Sequence, residues 1–264
     1  MPRLACGLEY DGAGFNGWQR QSHAPSVQGA VEEAFSAVAD HPIRTAVAGR
    51  TDTGVHAAGQ VIHFDTTADR SLHAWQRGAG AHLPPAVSVS WVQEVADDFH
   101  ARHSATRRHY RYIILQRDAA AAGLLAGRVT RIPKALDIEP MHQAAQALLG
   151  EHDFTSFRAA ECQARHPRRT LFRLDVTARE PFVHIDVEAD GFLHHMVRIL
   201  AGSLIDIGHG ERPPEWLAEL LEQRDRTTGG ITAPPDGLYL MGVHYPPECG
   251  IPPPLWTPDY GLPS

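Results

Sequence analysis

The strongest constraint on the fold is that one order of elements occurs twice along the chain. Residues 4–10 place Leu4, Cys6, Leu8 and Tyr10 in alternation with smaller or polar neighbours, the period of a strand. After a glycine-rich turn, Pro25-Ser26 opens a helix with Ser26 at its N-cap, and Val27, Ala30, Val31, Ala34, Phe35 and Val38 share one face. Short strands follow at 44–48 and 60–64, then a helix from Ser71 to about residue 78 and a strand at 87–95. The sum is β-α-β-β-α-β, the split ferredoxin-like unit. The second half repeats it. Tyr110, Tyr112 and Ile114 alternate, and Asp137 starts a helix striped by Met141, Ala144, Ala145 and Leu148 and stopped at Gly150. Residues 171–178 and 182–189 read as a hairpin pair, 192–207 as the most apolar helix with Gly208 at its end, 214–224 as an added helix and 238–245 as the last strand. The expectation is an α+β fold of two ferredoxin-like (RRM-like) βαββαβ units, joined in a continuous mixed or antiparallel sheet flanked by helices. The halves span 1–105, carrying the loop at 49–58, and 106–246, with a Pro-rich tail at 247–264.

Composition removes several classes of function. Lys134 is the one lysine among 24 basic residues, and it sits in Ile132-Pro133-Lys134-Ala135, so no Walker A loop is present. Cys6, Cys162 and Cys249 are odd in number and far apart, against a disulfide framework or a zinc ribbon. No apolar run approaches the roughly 20 residues that cross a bilayer, and the first residues lack a signal-peptide pattern. A cytoplasmic protein without membrane association is expected. The net charge is −7, yet residues 99–117 hold five arginines and no carboxylate, and Arg165, Arg168, Arg169 and Arg173 form a second cluster. Those patches read either as a local polyanion site or as solvated arginines on a strand and a loop.

Three motifs carry possible chemistry. Gly12-Ala13-Gly14-Phe15-Asn16-Gly17 fits GxGxxG after a strand, but residues 18–25 intervene before any helix, and Glu32 and Glu33 fall inside that helix. A dinucleotide site needs the helix to open within the glycines, so a flexible turn carrying Trp18 is the better reading. Seventeen histidines invite a metal, but HExxH is missing, and His194 and His195, adjacent on a helix, would point apart. No metal site is expected. The loop Ala48-Gly49-Arg50-Thr51-Asp52-Thr53-Gly54-Val55-His56-Ala57 joins two strands, where a sheet can hold a side chain at the mouth of a cleft. An aspartate bonding its own backbone in a turn is the alternative.

Tyr10-Asp11-Gly12 with Phe15 and Gly17-Trp18-Gln19, the loop 49–57, Phe99-His100-Ala101-Arg102, Tyr110-Arg111-Tyr112, Gly150-Glu151-His152-Asp153-Phe154, Phe192-Leu193-His194-His195-Met196-Val197-Arg198 and Gly237-Leu238-Tyr239-Leu240 stand in one order. That ordered set resembles the tRNA pseudouridine synthase A family. The resemblance implies the pseudouridine synthase fold, and isomerisation of uridine to pseudouridine at positions 38, 39 and 40 of the tRNA anticodon stem and loop. It implies no cofactor, neither metal nor nucleotide, and a homodimer with tRNA lying across both subunits.

By the same resemblance Asp52 matches the catalytic nucleophile, and Arg198 the arginine paired with it. Burial raises a carboxylate's pKa and a nearby guanidinium lowers it, so such a pair keeps the acid ionised in a dry pocket. Tyr110 matches the tyrosine that stacks on the target uracil, with proton transfer from C5 as a second role. Arg50 resembles the arginine that fills the space left by the flipped base, and Leu238 the residue packed on its other face. Arg102, Arg107 and Arg108 are the expected phosphate contacts. Thr53 departs from the family's usual alanine, and His103 from a common phenylalanine. Attack at C6, attack at C1′ and a glycal route stay open, as do an RNA-binding module without catalysis and a His/Asp metal hydrolase.

Overall fold

The computed structural model describes residues 1–119 and 121–253. The chain divides into two compact units, one of residues 1–108 with 239–253, the other of 109–238. Both are α+β, as expected. Among the described residues no helix is long and apolar enough to cross a membrane.

The first unit holds β1 (Arg3–Tyr10), α1 (Val27–Ala39), β2 (Ala46–Val47), β3 (His56–Asp65), α2 (Leu72–His82) and β4 (Val87–Val95). β1 pairs antiparallel with both β3 and β4, and β2 pairs antiparallel with β3, so the predicted β-α-β-β-α-β order is present. Ser26 caps α1 by accepting from the Gly29 N–H at 3.3 Å, and Ser71 caps α2 through Ala74 at 3.2 Å. Phe35 of α1, Phe64 of β3 and Trp75 of α2 meet with ring centroids 5.0 to 6.1 Å apart and form the centre of this core. Two residues of β3, Ala58 and Gly59, stand opposite one of β1, Glu9, between the pairs Leu8–Gln60 and Tyr10–Ala57. Such a bulge bends its strand, here at the end that leads into the loop 48–55.

The second unit holds β5 (Arg107–Gln116, most of its length), β6 (Thr130–Ile132), α3 (Ile138–Gln146), β7 (Gly150–Asp153), β8 (Arg168–Arg179), β9 (Phe182–Ala189), α4 (Met196–Gly208) and α5 (Trp216–Gln223). β7, β8 and β9 form an antiparallel set, and β6 runs parallel to β5. The stripe Met141, Ala144, Ala145 and Leu148 is fully buried, as its spacing predicts. Gly208 ends α4 where a Cβ would lie 2.5 Å from the Met141 sulfur, so the crossing of α3 and α4 is set by a missing side chain.

Packing departs from the repeat at the last strand. β10 (Leu238–His244) follows α5 in sequence, but Tyr239 onward belongs to the first unit because Tyr239 and Leu240 pair in parallel with His56 and Ala57 of β3. Of the tail, residues 254–264 lie outside the described residues.

Candidate active site

The loop between β2 and β3 is supported from beneath at Ala48, Gly49, Thr51 and Gly54. Its tip is a turn in which the Val55 N–H donates to the Asp52 carbonyl at 3.1 Å. Gly54 has φ +79° while Thr53 keeps a negative φ, the pattern of a type II turn. The glycine-rich segment that resembled a nucleotide loop is the bed of this turn. Trp18 N–H donates to Thr51 O at 2.9 Å, and Gly54 N–H donates to Phe15 O at 3.3 Å. A Cβ on Gly12 would lie 2.0 Å from the Val55 carbonyl oxygen, and one on Gly17, at φ +81°, 2.8 Å from that of Thr51. Far from being a flexible turn, the segment is locked. Trp18 is 1% exposed, and the first N–H groups of α1, from Val27 and Gln28, donate to the carbonyls of Gly17 and Trp18. Glu32 of α1, 2% exposed, accepts from Arg20, Gln28, Arg44 and the Thr45 N–H, tying this bed to the strand that enters the loop.

Gly12→Ala and Gly17→Ala test this reading. Each should lower unfolding stability by about 1–3 kcal/mol, the usual range for overpacking or a forced left-handed backbone. Gly14→Ala, with nothing near its Cβ, should be close to neutral in the same urea titration.

On this bed Arg50 is exposed and makes no ion pair or hydrogen bond within the described residues, while Asp52 is half-exposed. The residues between and before them, Thr51 and Gly49, are bonded inward to Tyr10 and Gln60. Neither Tyr10 nor Gln60 had an assigned role. The available signal was a glutamine and a tyrosine at otherwise apolar positions of two strands.

A second segment of the first unit carries the arginines expected to meet phosphates. His63, 6% exposed, accepts the Ala101 N–H at 3.1 Å. Burial, with His100 and Arg3 nearby, lowers its pKa to about 4 and keeps it a neutral acceptor. His100 accepts from the N–H groups of Arg102 and His103, and Arg3 donates to the carbonyls of Asp97 and Phe99. Arg102 and Arg107 are exposed. Arg108 is turned into the fold, donating to the carbonyls of Arg102 at 2.7 Å, Ala48 at 3.1 Å and Ala105 at 3.4 Å. It braces this segment against the start of the loop 48–55.

The second unit holds the remaining predicted residues. Tyr110 on β5 is 8% exposed, with Phe192 edge-on to its ring at 5.1 Å. Arg198, in the first turn of α4, donates through Nε to Ala233 O at 2.8 Å, and Ala233 N–H returns a bond to Arg198 O. Leu238 is 5% exposed and closes a turn on Pro235. The helix predicted from 192 begins only at Met196, because His195 takes φ +62°. His194 and His195 are therefore in a turn rather than on a helix, and their rings lie 3.9 Å apart instead of diverging. Arg111, on the neighbouring position to Tyr110, is bound at both ends of its fork by Asp186, which also holds His109 at 2.7 Å.

The model of a family described as tRNA pseudouridine synthase matches residues 8–104 and 144–246. The chain belongs to that family. It is 54% identical over 250 residues to tRNA pseudouridine synthase A of Pseudoalteromonas atlantica, with 95% of each chain covered. The protein of the same name from Vibrio cholerae is 51% identical over 261 residues, covering 97% of this chain and 98% of its own. That of Salmonella arizonae is 51% identical over 256 residues, covering 97% and 94%.

Proposed function

We propose that this chain isomerises uridine to pseudouridine at positions 38, 39 and 40 of the tRNA anticodon stem and loop, with Asp52 as the nucleophile. The reading is supported most by one observation: the loop is bonded beneath at Gly49, Thr51 and Gly54, while Arg50 stays exposed and Asp52 half-exposed. A reacting group needs that combination, since a carboxylate held on a fixed backbone meets its target without a further ordering cost.

The reaction breaks the C1′–N1 bond, turns the uracil and joins C1′ to C5. The C5 proton leaves and N1 gains one, so no electrons and no phosphate change hands, and no cofactor is called for. Asp52 attacks the flipped nucleoside. Arg198 supplies the cation that keeps it charged, Tyr110 stacks on the uracil and takes part in removing the C5 proton, and Leu238 packs on the other face. Arg50 fills the vacated space in the stem. Stacking contributes about 1–3 kcal/mol, against a few kcal/mol for unstacking the base. Arg102 and Arg107 meet phosphates, and Arg108 holds their segment in place while adding its charge. The protein works in the cytoplasm as a homodimer, with one tRNA across both subunits. Its packing units notwithstanding, 1–105 and 106–246 are the duplicated halves of its ancestry.

The test is incubation with unmodified tRNA carrying tritium at C5 of uridine, followed by mass-spectrometric mapping. Tritium release with new pseudouridine at 38–40 is the expected result. Tight tRNA binding without release would establish an RNA-binding module instead.

A further inference from the structure

We infer that Tyr10, Thr51 and Gln60 form a buried hydrogen-bond clamp that positions Arg50 and Asp52, a role that rests on the activity proposed above. Gln60 is fully buried, Tyr10 is 4% exposed and Thr51 7%. The Gln60 amide donates to the Gly49 carbonyl at 2.7 Å and to the Tyr10 hydroxyl at 3.3 Å. The tyrosine oxygen that accepts this bond shares a second one with Thr51 Oγ1, 2.8 Å away. Burial raises the Tyr10 pKa to about 12, so the hydroxyl keeps its proton through the working range. The Gln60 carbonyl oxygen is occupied as well, by the Val61 N–H at 3.2 Å, which fixes the amide's orientation and thereby the direction of the chain.

The clamp grips positions 49 and 51 and leaves 50 and 52 alone. Drawing Gly49 O and the Thr51 side chain inward leaves the Arg50 side chain in solvent, and delivers Asp52 to the first position of the turn that ends at Val55. The bulge between the pairs Leu8–Gln60 and Tyr10–Ala57 serves the same end, because it lets Gln60 sit below the loop while β3 begins at His56. None of the three side chains is given a contact with substrate. They are positioning residues, and their effect should fall on the reacting step.

Thr51→Val keeps volume and branching but removes the hydroxyl, Tyr10→Phe removes the oxygen that bonds both Thr51 and Gln60, and Thr51→Ser retains the bond. Single-turnover isomerisation should slow by about tenfold or more in Thr51→Val and Tyr10→Phe, the rate equivalent of one lost hydrogen bond. The dissociation constant for tRNA should stay within about threefold. Thr51→Ser should recover most of the rate lost in Thr51→Val. The double variant should be no slower than the slower single one, since the Tyr10–Thr51 bond is already lost in each single variant. Amide exchange at Gly54 and Val55 should quicken in Thr51→Val and not in Thr51→Ser. Wild-type rates in both deletions, losses that add, or Thr51→Ser as slow as Thr51→Val would overturn the clamp. If Tyr10→Phe does not fold, the valine and serine pair decides alone. If the unmutated protein performs no isomerisation, the proposed function fails, and amide exchange still decides whether the clamp exists.

Discussion

Asp52→Asn should abolish pseudouridine formation while tRNA binding stays within about tenfold, or roughly 1.4 kcal/mol. The amide has the size and shape of the carboxylate but no negative charge to offer a carbon. The substitution leaves the loop's main-chain bonds in place: the turn is closed by the Asp52 main-chain carbonyl, and its neighbours are held through Thr51, Gly54 and Gly49. Loss of turnover with retained affinity and an unchanged melting curve therefore separates chemistry from folding. Tritium release from C5-labelled tRNA measures the first, and filter binding the second. Full activity in this variant would end the assignment of Asp52.

Asp186→Ala should cost about 3–5 kcal/mol of unfolding stability, the range for breaking a buried ion pair by removing one partner. Asp186 is 2% exposed and accepts from Arg111 at 3.0 and 3.1 Å and from His109 at 2.7 Å. Without it the Arg111 guanidinium, 15% exposed in its side chain, is left without its bidentate partner. Burial by itself would push the Asp186 pKa up. The hydrogen bonds from His109 and Arg111, and their charge, outweigh that and bring it down to about 2. The folded-state pKa is thus below the unfolded value near 3.9, so the group's contribution is complete above about pH 4 and is lost as pH falls through about 2. That contribution is on the order of 2 kcal/mol. Urea unfolding of wild type and Asp186→Ala between pH 5 and pH 2 should show the gap between them narrowing as the pH falls. A constant gap would mean that the carboxylate is not what His109 and Arg111 bind.

Much of the fold follows from local periodicity, and the exceptions have local causes. The stripe of α3, the capping serines Ser26 and Ser71 and the order of elements in the first unit can each be read from spacing over a few residues. β6 and β7, of three and four residues, are too short to show a period, and exist because β5 and β8 offer them partners. The late start of α4 was hidden because Phe192-Leu193 continue its apolar pattern, whereas the left-handed backbone at His195 interrupts the helix. The loop 48–57 was legible as a site because an arginine and an aspartate two apart, between glycines, are an unusual insertion between strands.

The sequence by itself determined most of the elements, where the loop 48–57 lies and to which family the chain is similar, because these depend on residues near one another in the chain. Only the tertiary structure decided what those residues lean on. Tyr10 and Gln60 are 50 positions apart, and Gly12 meets Val55 across 43, so no local pattern announces that they support one turn. The same holds for Arg102 and Arg108, identical in chemistry and six residues apart. One is exposed, and the other is bound by three carbonyls, because the backbone of Ala48 comes within 3.1 Å of its guanidinium.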